Sequence, residues 1–271
     1  MNVLQAVVLG VVEGLTEFLP VSSTGHLLIA EKLMGLKRGD SLVGFTAVIQ
    51  VGAILAAVLY FLRDIIALIR AFLRGLVSAP ARRDPEWRFA LAVLAGSLPV
   101  ALVGFALKSA IKTLDTRLVP IALGLIVFSA VFVVAERRAT QERPERSLTL
   151  LDGALIGLAQ CFALIPGVSR SGATICGGLL RGLDRVSATR LSFLLGIPAL
   201  LGAGAYELKD ASKGDAGTLP LVVATVVAFV VAFASIAFLL RFVATHRLTW
   251  FVPYRVLLGV AVLVAVAVFG A

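Results

Sequence analysis

The chain has 271 residues, 59% of them hydrophobic and 15% charged, with a net charge of +9 and a mean hydropathy of +1.01. A soluble domain carries about 25% charged residues, so disorder, a secreted disulfide scaffold and an ordinary cytosolic enzyme are all excluded. The positive balance does not imply nucleic acid, because the lysines and arginines sit in short runs between apolar blocks, where they set topology and meet anionic lipid headgroups of the bilayer. In chain order, the first element, 1–34, is apolar but interrupted at Leu19–His26 (LPVSSTGH). It carries Glu13 and Glu17 and lacks a cationic start, so it reads as part of the fold and not as a removable signal. Blocks at 42–62, 89–107 and 118–135 are each about the ~20 residues that a crossing helix needs. A second interrupted region, 148–183, breaks at Ile165–Thr174 (IPGVSRSGAT). Three further spans follow at 191–206, 219–240 and 252–270. The expected architecture is an all-α polytopic membrane protein.

Each half of an interrupted region is too short to cross, so both regions read as re-entrant helix–loop–helix hairpins. Irregular backbone survives at membrane depth only where protein or a water-filled cavity satisfies it. The two regions also match each other: at an offset of 147, Gly10, Val21, Ser22 and Gly25 fall on Gly157, Val168, Ser169 and Gly172, while Glu13 falls on Gln160. Each hairpin precedes three spans, an odd number, so the second copy is inserted upside down. The predicted organisation is a single domain holding an inverted-topology repeat, 1–135 and 148–271. With the N-terminus outside, the inside loops hold 15 basic residues and the outside segments 8, which favours both termini outside. That places 63–88 and 136–147 inside and 108–117 outside.

Three clusters carry chemistry. Glu13 and Glu17, at i and i+4, share one helix face. They could be helix-end carboxylates reaching for water. However, a charge at membrane depth costs upward of about 2.5 kcal/mol, which makes such a pair a functional candidate, able to hold Mg²⁺ or Ca²⁺ or to supply a base beside an ionised partner. His26, among Ser22, Ser23 and Thr24, is either a packed core histidine or an acid–base or nucleophilic group, with Ser23 the favoured partner hydroxyl. His26 and Ser23 are not separable as attacking group. In the second break, Arg170 stands between Ser169 and Ser171, with Gly167 and Gly172 permitting close backbone approach and Thr174 one turn on. A helix start, hydroxyls and a guanidinium fork make a phosphate cradle; the plainer alternative is an internal ion pair from Arg170 to Glu13 or Glu17. Cys161 and Cys176 read as small apolar residues.

EGLTEFLPVSSTGH and PGVSRSGAT resemble the two signature motifs of the undecaprenyl pyrophosphate phosphatase family of bacterial membranes, the bacitracin-resistance type. FTAVIQVGAIL, SFLLGIP and PYRVLLG are also similar to family segments. The resemblance implies hydrolysis of undecaprenyl diphosphate to undecaprenyl phosphate and inorganic phosphate, which recycles the lipid carrier for peptidoglycan synthesis. It implies six spanning and four re-entrant helices in the inner membrane, a divalent cation, and a site facing the periplasm. By residue it implies catalytic roles for Glu13, Glu17, Ser23 and His26, assisted by Arg170. Phosphate binding falls to Ser169, Arg170, Ser171 and Thr174, with Ser22, Gly167 and Gly172 beside them. A second copy of the chain is the protein partner left open. Arg190 departs from the acidic residue expected there, which puts a supporting ion pair in doubt. The alternative function is a transporter or flippase of a phosphorylated polyprenyl lipid, since broken helices meeting at the midplane also bind transported substrates.

Overall fold

The computed structural model describes residues 1–36, 39–114, 117–211 and 217–269. Lys37, Arg38 and Lys213, which enter the charge count, lie outside the described residues. The described chain is helical: α1 (Val3–Thr16), α2 (Ser23–Leu33), α3 (Asp40–Tyr60), α4 (Leu62–Val77), α5 (Pro85–Ala106), α6 (Lys108–Leu114), α7 (Leu118–Arg138), α8 (Leu150–Cys161), α9 (Arg170–Leu180), α10 (Arg185–Ala211), α11 (Thr218–Thr245) and α12 (Val252–Phe269). Among the described residues, six stretches are long and apolar enough to cross a membrane: Ser41–Tyr60, Pro85–Ala106, Leu118–Arg138, Arg185–Gly204, Thr218–Thr245 and Leu248–Phe269. The chain is thus a multi-pass membrane protein with the expected number of spans.

Two differences from the sequence expectation have physical causes. The fourth span starts at Arg185, not at 191, because its polar opening is satisfied by protein. Arg185 pairs with Glu136 at 2.9 Å, and Arg190 pairs with Asp64 at 2.8 Å and Glu145 at 3.0 Å. The same contacts resolve the doubt over Arg190, which makes ion pairs of its own. The other difference is α4, where the sequence predicts a loop. Arg63, Arg70 and Arg74 interrupt its apolar run, yet they leave Ile65 and Leu68 packed on the core while Ile66, Ile69 and Leu73 stay exposed. That is an amphipathic helix. Trp87 fastens it, stacking on Phe72 at 5.5 Å over Gly75, where a Cβ would come within 2.1 Å of the indole.

The two short helices that open the interrupted regions, α1 and α8, pack in the same manner against different partners. α1 lies along α11 and α8 along α5. A Cβ at Gly10 would meet the Ala224 carbonyl oxygen at 2.5 Å, and one at Gly157 the Gly96 oxygen at 2.3 Å. Only glycine allows backbones this close, the usual way helices associate where lipid removes any hydrophobic drive between them. The N-terminus of α8 is clasped from below: buried Asp152 bonds Arg143 at 2.8 Å and Arg181 at 2.7 Å. Burial alone would raise the Asp152 pKa, but hydrogen bonds from Arg143, Thr149 and Arg181 outweigh it and hold the carboxyl well below the usual carboxylate range. The stabilisation from this clasp is therefore present above the ordinary carboxylate pKa and is lost only as pH falls through the lowered value.

Candidate active site

The site grows out of two chain breaks built on one backbone device. Where α1 ends and α2 begins, Ser22 sits at φ 75°; where α9 begins, Ser169 sits at φ 76°. Such backbone is sparsely populated for a residue with a Cβ and costs of order 1–3 kcal/mol, persisting where the surroundings enforce it. Both serines precede a helix start, whose first N–H groups have no intrahelical partner. Ser169 Oγ accepts from the Gly172 N–H at 3.2 Å, while Ser22 makes no such side-chain cap.

Glu17 joins the two breaks. One of its oxygens pairs with Arg170 Nη2 at 3.2 Å, and the other accepts the Ser23 hydroxyl at 2.7 Å. Arg170 Nη1 donates to the Ser192 carbonyl at 3.3 Å, while its Nε is buried with no acceptor. The guanidinium lies against Gly196, where a Cβ would stand 1.7 Å from Nη1. Around this pair is a cavity of about 160 Å³, walled by Thr16, Glu17, Ser22, Ser23 and Thr24 from the first break and Pro166, Gly167, Ser169 and Arg170 from the second. Gln50, Ile111, Ala163, Leu164 and Leu200 complete it.

The remaining expected residues stand back from this cavity. Glu13 is buried one turn behind Glu17. Ser171 Oγ donates to the Leu19 carbonyl at 3.2 Å, a strut between the breaks. Thr174, fully buried, bonds the Arg170 carbonyl at 2.8 Å and the Ser192 hydroxyl. Gly172 lies against the Phe132 ring. His26 does not meet Ser23. Its Nδ1 donates to the Ser22 carbonyl at 2.8 Å, and its Nε2 lies 2.6 Å from the Tyr254 hydroxyl, with the rings stacked. A carbonyl can only accept, so the neutral ring carries its proton on Nδ1 and offers the Nε2 lone pair to Tyr254.

Two residues of α12 were not foreseen as site residues. One is Tyr254. The other is Arg255, fully buried, whose Nη1 donates to the Pro20 carbonyl at 2.8 Å and whose Nη2 donates to Gly167 and Val168 at 3.1 and 3.2 Å. Its Nε reaches Ser129 at 3.2 Å and its face lies 4.7 Å from the Phe132 centroid. It ties the first break to the second through their carbonyls. An arginine inside an apolar span was the available signal, but its partners in the two breaks are backbone carbonyls, which carry no residue-type signature.

Residues 6–261 match the family model described as bacitracin resistance protein BacA. The chain belongs to that family. Among BacA-family relatives, a protein of Acidothermus cellulolyticus named undecaprenyl-diphosphatase is 54% identical over 268 residues, covering 98% of this chain and 97% of the relative. Undecaprenyl-diphosphatase 1 of Streptomyces avermitilis is 51% identical over 264 residues, covering 97% and 95%. The undecaprenyl-diphosphatase of Mycobacterium sp. strain KMS is 49% identical over 269 residues, covering 97% and 96%. The likeness spans the full set of helices that build the cavity.

Proposed function

We infer that the chain hydrolyses undecaprenyl diphosphate to undecaprenyl phosphate and inorganic phosphate, recycling a lipid carrier for cell-wall synthesis. The observation that carries the chemistry is Glu17, which holds the Ser23 hydroxyl on one oxygen and the Arg170 guanidinium on the other inside one polar cavity. A hydroxyl bonded to a carboxylate is the arrangement of a nucleophile and its base. In the proposed reaction Arg170 shifts its fork to the terminal phosphate, with its unbonded Nε as a further donor. Ser23 Oγ attacks the terminal phosphorus, its proton passes to Glu17, and undecaprenyl phosphate leaves; water then releases phosphate from Ser23. Ser22, Ser169 and the backbone at Gly167 line the phosphate side, while Ser171, Gly172 and Thr174 brace the cradle from behind. His26, held by Tyr254, sets the start of α2.

The Glu17 carboxylate and the hydroxyls of the cavity supply oxygen ligands, which suit a hard cation, and among the described residues no cluster of three His, Cys, Asp or Glu forms an all-protein cage. Glu17 and Glu13 are the residues that would hold Mg²⁺ or Ca²⁺ together with diphosphate oxygens, and the ion would neutralise charge on the leaving phosphate.

We propose further that α1–α2 and α8–α9 are re-entrant hairpins of an inverted repeat in the bacterial inner membrane. The 147-residue offset, the paired serines at φ 75° and 76°, and the reciprocal packing of α1 on α11 and α8 on α5 support it. The charge bias favours a cavity opening to the periplasm, on the side of α6, which contributes Ile111. Cysteine placed at 108 should label from outside and at 83 should not; the reverse pattern overturns the orientation. Phosphate release from undecaprenyl diphosphate in detergent tests the activity itself. A carrier or flippase alone would release none.

A further inference from the structure

Release of phosphate from Ser23 requires a water held in line with the Oγ–phosphorus bond. Gln50 stands at the middle of α3, and between Thr46 and Tyr60 it is the one side chain able to form a hydrogen bond. It lines the polar cavity, yet its amide bonds no described residue. A polar group at membrane depth is costly unless it is partnered, so an amide facing a polar cavity without a protein partner is suited to a ligand. Among the described residues, the other polar side chains of the lining come from the two breaks, and Gln50 alone arrives on a spanning helix. That helix is fixed against the one leading to Glu17. A Cβ at Gly52 of α3 would stand 2.3 Å from the Thr225 carbonyl oxygen of α11, and one at Gly10 of α1 would stand 2.5 Å from that of Ala224. α1 and α3 thus press glycines on consecutive residues of one helix, a backbone contact that holds all three closely together.

We propose that Gln50 positions the water that hydrolyses the Ser23 phosphoester, an inference that rests on the diphosphatase reading above and its Ser23 nucleophile. Both steps are in-line displacements at one phosphorus. Ser23 Oγ enters opposite the bridging oxygen, so the water enters opposite Ser23 Oγ, at the place that undecaprenyl phosphate has vacated. A group that holds it there stands across the phosphoryl from Ser23, and the polar lining residue supplied by neither break is Gln50. A carboxamide suits the task. Its NH₂ donates to a phosphoryl oxygen and its carbonyl oxygen accepts one water hydrogen, which leaves a water lone pair for phosphorus. The amide itself takes no proton. The water oxygen–phosphorus bond forms as the Ser23 Oγ–phosphorus bond breaks. Ser23 Oγ recovers the proton held by Glu17, and both water protons leave with the product as dihydrogen phosphate. The cavity, of about 160 Å³, has room for a phosphoryl group and an ordered water, whose share of volume is about 30 Å³.

The test removes the amide with Gln50→Leu and, independently, with Gln50→Met, which keeps the length and flexibility of the side chain. Undecaprenyl diphosphate labelled on its terminal phosphate is mixed with each protein in detergent and quenched with acid within the first turnover. In both variants a burst of undecaprenyl phosphate, equal to the amount of protein, should form at the unaltered rate, with the label held on Ser23. Steady-state turnover should then fall by about 10²-fold, the effect of losing one aimed donor. A structural fault would slow both steps together and leave no burst. That outcome would overturn the proposal, as would turnover unchanged in both variants. If the unaltered protein releases neither product, the diphosphatase reading fails and takes this assignment with it. If it releases both and neither variant retains label, only the role of Gln50 falls.

Discussion

At the first break Ser22 takes φ 75° before α2, and at the second Ser169 takes φ 76° before α9; beyond that shared backbone the two breaks differ in nearly every charged and capping group. The first brings carboxylates: Glu17 sits in the cavity and Glu13 is buried behind it. The second brings a cation, Arg170, and at the position matching Glu13 it has Gln160, buried with neither end of its amide hydrogen-bonded. The capping differs as well, since Ser169 closes its own helix start and Ser22 leaves its hydroxyl uncommitted to the cap. A repeated backbone can thus supply two helix starts aimed at one space while the side chains divide the work between base and phosphate grip. Arg255 makes the division workable, because it bonds carbonyls of both breaks and keeps them in register.

The largest effect should come from removing the charge on the first break. Glu17→Gln keeps the shape and an acceptor for Ser23, but loses the proton acceptor and the partner of Arg170. Turnover should fall by about 10²–10⁴-fold, the usual contribution of a positioned base, and single-turnover phosphate release will measure it. Near-normal turnover would move the base elsewhere. On the second break, Arg170→Lys retains charge but not the planar fork. Losing one aimed donor costs about 10²–10³ in rate, so kcat should drop by that factor. A small loss would reduce Arg170 to an ion-pair partner of Glu17.

Glu13→Gln gives the first break the residue that the second already has. If Glu13 helps hold the cation, the metal concentration for half activity should rise by about 10- to 100-fold, as it does when residues supporting a metal site are lost, with activity restored by excess metal. An unshifted midpoint would confine the cation to Glu17 and substrate. The smallest effect belongs to stability. Leaving a buried polar group unbonded costs about 1–3 kcal/mol, so Gln160→Leu, which removes the unbonded amide, should raise the thermal midpoint without lowering turnover. A lowered midpoint would mean that the amide has a bonding partner in the bilayer-embedded protein.

Much of this was legible from residue types alone. Long apolar blocks specify spans because hydrocarbon thickness sets a minimum helix length, and six were expected and six are found among the described residues. The breaks were legible because Pro, Gly and Ser interrupt apolar runs, and Glu17, Ser23 and Arg170 stood out because charge and hydroxyl are costly there. α4 was missed because its arginines mask an amphipathic period, and the opening turn of α10 because Arg185 and Arg190 look like loop until their acidic partners are known. His26 and Ser23, close in sequence, were paired by proximity. In the fold they take different partners, Ser23 bonding Glu17 and His26 bonding Tyr254, more than two hundred positions away in the chain.

Composition and local pattern by themselves determined that this chain lives in a membrane, where its helices run, and which polar residues could not be there by accident. Those are properties of single segments in contact with lipid, and lipid imposes them everywhere in the same way. Only the tertiary structure decided which oxygen of Glu17 meets which donor and that Arg255 binds carbonyls from both breaks. Each of these depends on atoms brought together from distant parts of the chain, and on backbone groups that every residue type possesses alike.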